Sequence, residues 1–190
     1  MKKLLFTLYL FLGLSLGLTP VVATGQTVEP DTVILSDTLD YDDLARKSVF
    51  KGNVIVTRGN LNLHADQVEV NELADGSQHV IATLNGSDRV RVRQETPEKY
   101  EVVKGEGLRG EYNSGSEQLT LIGQAVLTRY ICGKAIDSIR GERVIYNKKS
   151  DTYQALGGPD SADSQKRVRS IARPRVNIDQ AIAECKAKSN

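Results

Sequence analysis

A glycine-rich segment is the part of this chain that comes nearest to a known chemical motif. Residues 105–110 read G-x-G-x-x-G, and they follow the strand-like residues 100–103. A dinucleotide site of this type also needs a helix that opens at the third glycine, because the helix N-terminus holds the pyrophosphate. Residues 111–116 form a turn-rich stretch instead. The segment therefore predicts no cofactor site.

Other residues with catalytic or metal-binding chemistry do not form a site either. His64 and Asp66 are close in sequence, but two side chains are fewer than the three or four ligands of a metal site. The chain has no phosphate-binding P-loop, H-E-x-x-H or C-x-x-C motif, and its one G-x-S-x-G match, residues 13–17, lies inside the apolar run at the N-terminus. Asp37, Asp66 and Glu142 recur at equivalent places in a repeat, whereas a hydrolase or lyase needs a local acid and base pair. We expect no catalytic residue, no metal ligand and no enzymatic activity, and we expect His64 to point outward.

Arginine and valine alternate strictly in Arg89-Val90-Arg91-Val92-Arg93. This alternation predicts a strand with three arginines on one face and two valines on the other. The arginine face is either a solvated strand face, with or without ion pairs to nearby acids, or a basic patch for anionic head groups. The pattern alone leaves both interpretations open.

Composition limits the classes of protein to which the chain can belong. Its 190 residues contain 25 Lys and Arg against 24 Asp and Glu, with 39% hydrophobic residues and a formal net charge of +1. A disordered chain would be less hydrophobic and more highly charged. Nucleic-acid binding leaves a basic footprint that this balance lacks, so no nucleic-acid partner is expected.

The N-terminal residues predict export. Lys2 and Lys3 precede an apolar run over residues 4–18, which is followed by Pro20 and Ala23. This order of charged, apolar and small residues is typical of a cleavable signal peptide, here residues 1–23. Its removal leaves Phe50 and six tyrosines as the aromatic residues of the exported chain. Something other than aromatic packing must therefore fill the interior.

Period-two alternation of apolar residues runs through the chain from about residue 32 to residue 158. It is seen in Leu39/Tyr41, Val54/Val56, Leu61/Leu63, Val68/Val70, Val90/Val92 and Val144/Tyr146. Alternation bounded by Gly, Asn and Asp indicates half-buried strands joined by hairpins. The chain is therefore predicted to be all-β.

The strands belong to a repeat of about 35 residues. Gly52, Gly86, Gly123 and Gly158 each end an apolar run and are 34, 37 and 35 residues apart. A second element, which starts with a small residue, recurs at Ser36, Ala65, Gly107 and Gly141. The parity of the inward-facing residues changes at Ser36, Ala65 and Gly141, which predicts a bulge or corner there. Four such units predict stacked repeats around one apolar face, with open ends.

The C-terminal residues have a different character. Residues 159–190 contain seven Lys and Arg, four Asp and Glu, and no alternation, so they are predicted to form a mobile basic tail. One short helical segment is predicted over residues 178–185. A disulfide between Cys132 and Cys185 suits an oxidising compartment, but the sequence does not show that the two cysteines meet.

The repeats carry a resemblance to a known family. Residues 50–59, FKGNVIVTRG, and residues 63–70, LHADQVEV, closely resemble the first repeat of the OstA-like family. Residues 139–146, IRGERVIY, and residues 154–158, QALGG, resemble its last repeat. The resemblance covers about residues 32–158 and is weaker in the middle. The two cysteines and the tail depart from the family.

The resemblance implies a twisted β-jellyroll, open at both ends, that holds the acyl chains of lipopolysaccharide in its interior. Proteins of this family bridge the periplasm, where they stack end to end and join like-folded domains of an inner-membrane transporter complex and an outer-membrane translocon. The resemblance thus implies that lipopolysaccharide and those like-folded domains are partners of the chain, and that copies of the chain associate head to tail. The expected organisation is a signal peptide at residues 1–23, the lipid-binding jellyroll at 24–158 and the tail at 159–190.

Parity along the strands selects the residues that line the interior, and the resemblance makes them candidates for lipid binding. They are Ile34, Leu39, Tyr41, Phe50, Val54, Val56, Leu61, Leu63, Val68, Val70, Val90, Val92, Leu121, Val144 and Tyr146. Two alternatives stay open. One is a structural or adhesive β-solenoid without lipid binding, and the other is the membrane-anchored inner-membrane component of the same transport system.

Overall fold

Twelve strands and one α-helix make up the fold. The computed structural model describes residues 30–86, 88–150 and 152–189, and the signal peptide expected over residues 1–23 lies outside them. The strands are β1 (Thr32–Leu35), β2 (Thr38–Asp42), β3 (Lys47–Arg58), β4 (Leu61–Glu72), β5 (Gln78–Thr83), β6 (Val90–Thr96), β7 (Glu101–Gly107), β8 (Arg109–Asn113), β9 (Gln118–Ile131), β10 (Lys134–Asn147), β11 (Thr152–Leu156) and β12 (Arg169–Ile171). A 3₁₀ turn (Pro97–Lys99) follows β6, and α1 (Arg175–Ser189) follows β12.

The strands form one antiparallel sheet that is folded into two layers. The first layer contains, in order, β2, the start of β3, the end of β4, β5, β8, the start of β9, the end of β10 and β11. The second layer contains β1, the end of β3, the start of β4, β6, β7, the end of β9, the start of β10 and β12. Each layer thus has eight strand segments. We call the two segments with the same place in the order of their layers a rung, from the first rung (β2 and β1) to the eighth (β11 and β12).

The corners between the layers are where the sequence predicts them. The ladder between β3 and β4 is shifted between Lys51 and Val54, and the ladder between β9 and β10 is shifted between Gly141 and Arg143. Gly52, Gly86 and Gly123 adopt positive φ angles of 82°, 99° and 70° at these turns. The recurring glycines therefore allow a left-handed backbone where the chain passes between layers.

The recurring acids hold neighbouring corners together. A carboxylate oxygen of Asp66 accepts a hydrogen bond of 2.8 Å from the backbone N–H of Asn85, and Glu142 accepts one of 3.3 Å from the N–H of Asp160. Asp37 accepts a bond of 3.2 Å from the side-chain amide of Asn53. These carboxylates satisfy corner groups that the strand ladders leave unpaired, which gives them a structural role.

The third corner, which lacks the acid, is closed by an apolar contact. A Cβ atom added at Gly123 would lie 2.9 Å from Leu108 Cδ1. We expect Gly123→Ala to lower the free energy of unfolding. The left-handed backbone of a non-glycine residue costs about 1–2 kcal/mol, and the overlap of the new Cβ atom with Leu108 adds a further loss. Gly133→Ala is the control, because φ is also positive there (76°) but nothing lies within 4 Å. Equal losses in urea denaturation would contradict a packed corner.

The prediction of a mobile C-terminal tail is wrong for the described residues. Strand β12 pairs with β10, and α1 contains the helical segment anticipated over residues 178–185. Cys132 and Cys185 form a disulfide across 53 residues, with their Cα atoms 5.9 Å apart. Local periodicity does not encode a three-residue strand or a long-range covalent bond, so the sequence pattern of this segment resembled that of a tail.

The fold class predicted from the sequence is confirmed. The described chain is almost entirely β, and its folded antiparallel sheet ends on an unpaired rung at each end, as an open jellyroll requires. No helix in the described ranges is long and apolar enough to cross a membrane.

Candidate functional site: an apolar groove between the layers

Rows of inward-facing side chains run along the whole stack, because each strand pairs in register with the next. In the first layer, the deeper row is Leu39, Phe50, Val68, Ala82, Gly110, Leu121, Val144 and Ala155. The row beyond it is Tyr41, Ser48, Val70, Val80, Tyr112, Leu119, Tyr146 and Tyr153. A continuous, mainly apolar surface thus crosses all eight rungs of this layer.

The second layer presents a matching surface. Its central row is Ile34, Val56, Leu63, Val92, Gly105, Leu127, Ile139 and Ser170. The row nearer the open side is Thr32, Arg58, Leu61, Gln94, Val103, Arg129 and Asp137. The lining therefore changes from apolar to partly charged toward the rim of the groove.

The structure brings together thirteen of the fifteen predicted lining residues in one apolar cluster. Seven of them are buried: Val54, Leu63, Val68, Val90, Val92, Leu121 and Val144. Six are half-buried and pack against these: Ile34, Phe50, Val56, Leu61, Val70 and Tyr146. Their assignment to lipid binding stays a prediction.

The other two predicted residues, Leu39 and Tyr41, are exposed. Their relative accessibilities are 53% and 65%. Both belong to inward rows, since Leu39 pairs with Phe50 and Tyr41 with Ser48. They are uncovered because β2 is the first rung and no strand of the described residues lies beyond it.

Sequence reasoning missed part of the lining. The missed residues are Ala65, Ala82, Ala125 and Leu127, which are buried, and Val80, Leu84, Val103, Leu119, Ile139, Tyr153 and Ala155, which pack against them. Four of these eleven residues are alanines, whose small side chains interrupt the alternation of large apolar residues that marks a strand. They can be located from the strand register, which places them opposite residues that the pattern did identify.

The deepest part of the groove is closed by direct packing between the layers. A Cβ atom added at Gly105 in the second layer would lie 2.8 Å from Leu121 Cδ1 in the first, and one at Gly110 would lie 3.3 Å from Val90 Cγ1. Val54, Val68, Val90, Leu121 and Val144 are at most 1% exposed. We call these five residues the packed floor.

Half-buried residues of both layers that pack against the packed floor form what we call the groove wall. They are Phe50, Val56, Leu61, Val70, Val80, Val103, Leu119, Tyr146 and Tyr153. The rings of Tyr146 and Tyr153 stack at the last rungs, with centroids 4.7 Å apart and planes 20° apart. The wall is the apolar surface that a ligand in the groove can reach without separating the layers.

A charged cluster marks the rim of the second layer. Arg129 Nε donates a hydrogen bond of 2.8 Å to Asp137, and its guanidinium lies 3.4 Å from a carboxylate oxygen of Glu101. Partial burial by itself would lower the pKa of Arg129, but the bonds and charges of Asp137 and Glu101 outweigh it and raise that pKa above its usual value. The guanidinium therefore stays charged and paired. Because contact with hydrocarbon would desolvate this charge, an alkyl chain is expected to lie deeper in the groove than this row.

The other sequence patterns lie outside the groove. Val90 and Val92 point inward, while Arg89, Arg91 and Arg93 each have a carboxylate within 4.0 Å, from Glu106, Asp88 and Glu95. The arginine face is therefore ion-paired. His64 is exposed opposite Ile55, as expected, and the third glycine of the glycine-rich segment lies within β8, where no helix opens.

Comparisons with known proteins agree with this architecture. Residues 33–152 match the family model described as LptA/(LptD N-terminal domain) LPS transport protein. The lipopolysaccharide export system protein LptH of Pseudomonas aeruginosa is 25% identical over 178 residues, which cover 93% of each chain. The lipopolysaccharide export system protein LptA of Escherichia coli K12 is 28% identical over 175 residues, 91% of this chain and 87% of that protein.

A solved structure has the same fold. The crystal structure of LptH, described as the LptA homologous periplasmic component of the lipopolysaccharide transport device of Pseudomonas aeruginosa, superposes with a TM-score of 0.64 at 22% identity. The match covers 76% of this chain and 96% of that one. At this identity the likeness supports the two-layered fold.

Proposed function

Because the chain belongs to the LptA/LptD N-terminal domain family of lipopolysaccharide transport proteins, we propose that it is a periplasmic carrier that binds lipopolysaccharide acyl chains and passes the lipid from the inner to the outer membrane. The observation that carries this proposal is the groove, whose apolar rows continue from the first rung to the eighth. A conduit between membranes needs such a continuous apolar surface.

The energetics of the groove suit retention of a lipid. Each methylene removed from water contributes about 0.8 kcal/mol, so shelter for ten methylenes amounts to roughly 8 kcal/mol. Similar neighbouring grooves differ little in affinity, so the protein alone gives the lipid no direction. The sequence has no phosphate-binding P-loop and no complete dinucleotide-binding motif, and we propose that the ATP-driven inner-membrane transporter supplies the direction.

Export through a cleavable signal peptide at residues 1–23 belongs to this proposal. So does a lipid-binding jellyroll over residues 24–158, to which the fold adds β12, since that strand pairs with β10 in the same sheet. The proposed partners are lipopolysaccharide, like-folded domains of the inner-membrane complex and of the outer-membrane translocon, and further copies of the chain. Mass spectrometry of the mature N-terminus tests the cleavage, because the membrane-anchored alternative retains the apolar segment.

Transfer of labelled lipopolysaccharide to the purified exported chain tests the function. We expect stoichiometric transfer from lipid-loaded vesicles and retention of the lipid through gel filtration. A chain that takes up no lipid under these conditions would favour the structural or adhesive alternative.

Head-to-tail association is proposed through the unpaired edges at the two ends. On the first rung, Val33 and Leu35 are 54% and 60% exposed, which suits a surface that another copy covers. We expect Leu35→Lys to weaken self-association by roughly tenfold, about 1.4 kcal/mol, without changing lipid binding. Leu73→Lys is the control, since Leu73 is also exposed (37%) but lies in the turn between β4 and β5, away from both ends. Equal effects of both variants in sedimentation velocity would contradict docking at the first rung.

A further inference from the structure

Apart from residue 152, the eighth rung is built from a part of the chain that the family match does not include. That match ends at residue 152, whereas β11 (Thr152–Leu156) and β12 (Arg169–Ile171) supply the last strand of the first and second layers. Without β12 the second layer would end on β10, one rung earlier than the first layer. The segment after residue 152 therefore decides the shape of the C-terminal end.

Strand β12 is too short to hold its place alone. It has three residues, all exposed, and it pairs with Ser138, Ile139 and Arg140 of β10. An isolated pair of this length is unstable in water. Its position must therefore depend on how the chain is fixed before and after it.

The loop before β12 is tied to the corner. The backbone N–H of Gln124 donates a 2.6 Å bond to the carbonyl oxygen of Asp160, and the N–H of Ala162 donates a 3.1 Å bond to that of Gly141. Ser161 is 7% exposed, and its hydroxyl donates a 2.8 Å bond to the carbonyl of Arg167. This end of the segment is thus held by backbone and side-chain hydrogen bonds.

The chain after β12 is fixed by α1 and the disulfide. Ala181 is buried against Ile131 and Ile136, with Ile178 and Ile182 packed beside it. This second apolar cluster is small, and a helix of fifteen residues is marginal in isolation. Arg173 Nε adds a 3.1 Å bond to the carbonyl of Ala135. The covalent bond between Cys132 and Cys185 is the strongest of these restraints.

We propose that the Cys132–Cys185 disulfide holds β12 on the second layer, so that both layers end on the same rung and form the surface on which the first rung of a second copy docks. This inference rests on the proposed head-to-tail association and adds the device that completes its C-terminal surface. The occupant is the β1 and β2 edge of another copy of this chain.

The two ends of the molecule match each other. Strands β2 and β11 have five residues each, and β1 and β12 have four and three. The inward rows also continue, because Ala155 lies in the row of Leu39 and Ser170 in the row of Ile34. A copy docked in this register extends both layers and the groove between them.

The test compares the exported chain in oxidised and reduced form with the double variant Cys132→Ser/Cys185→Ser. A dithiol reductant supplies two electrons and two protons, which turn the disulfide into two thiols while the reductant is oxidised to its own disulfide. Self-association is measured by sedimentation velocity over a concentration series. Hydrogen exchange at residues 169–171 reports release of β12, and binding of labelled lipopolysaccharide is measured on the same samples. The double variant is also the control for the reductant, to which it must not respond.

We expect loss of the disulfide to speed exchange at residues 169–171 and to weaken self-association by roughly tenfold, with lipid affinity unchanged within about twofold. Ser170→Pro, with the disulfide intact, is expected to weaken self-association similarly, because proline removes a backbone donor from β12. Unchanged or stronger self-association after release of β12, or protection of β12 without the disulfide, would overturn the proposal. A wild-type chain that binds no lipopolysaccharide would contradict the proposed function instead, while the sedimentation result still decides this proposal.

Discussion

Val56→Asp is expected to lower the affinity for lipopolysaccharide at least tenfold. Val56 belongs to the groove wall, between Ile34 and Leu63 in its row, where an acyl chain would replace water. A carboxylate there either keeps water in the groove or loses its own hydration against hydrocarbon, at a cost of several kcal/mol. Since about 1.4 kcal/mol is a factor of ten in affinity, even a partial penalty is measurable.

Ile55→Asp is the matched control for Val56→Asp. Ile55 is the preceding residue of the same strand, so its side chain points to the opposite face, where it lies between Leu35 and His64. Both variants have the same change in charge and β-propensity. Lipid binding is measured by titration of labelled lipopolysaccharide, and thermal melts verify that both variants fold. A similar loss of affinity in both would mean that the inward face is not the binding surface.

Leu121→Ala is expected to lower the free energy of unfolding by about 2–5 kcal/mol, the usual cost of a cavity in a packed core. Leu121 has no exposed surface and fills the space above Gly105, so its removal opens a cavity between the layers. Because this residue belongs to the packed floor, we expect lipid affinity to change less than stability. Chemical denaturation measures the loss of stability.

Leu119→Ala completes the comparison. Leu119 lies on the same strand and the same face as Leu121, one row nearer the open side, and it is half-buried. We expect it to lose less stability than Leu121→Ala and more lipid affinity. Parallel effects of the two substitutions on stability and on binding would contradict the division into a packed floor and a groove wall.

The corners and the two ends of the repeat could be predicted from the sequence because their signals are local. The change in parity of the inward-facing residues at Ser36, Ala65 and Gly141 is visible from a few neighbouring residues, and the structure has a corner at each. Asp66 and Glu142 were also recognised as recurring, although their hydrogen bonds to the next corner become visible only in the fold.

The middle of the groove and the C-terminal segment could not be predicted in the same way. Ala82 and Gly110 line the groove through their place in a register row, and small residues have no alternation to detect. The place of β12 depends on β10, and that of α1 on Cys132, so both are set by contacts distant in sequence. Distance along the chain, more than residue type, separates what could be predicted from what could not.

Photo-crosslinking from the two faces of the β3 and β4 hairpin tests the central claim most directly. Val56 pairs with Leu63 on the groove side, and His64 is the next residue of β4, exposed on the outer face. A photoreactive amino acid at position 56 is expected to capture lipopolysaccharide during transport, while the same residue at position 64 captures none above background. Equal capture at the two positions would contradict a lipid path through the groove.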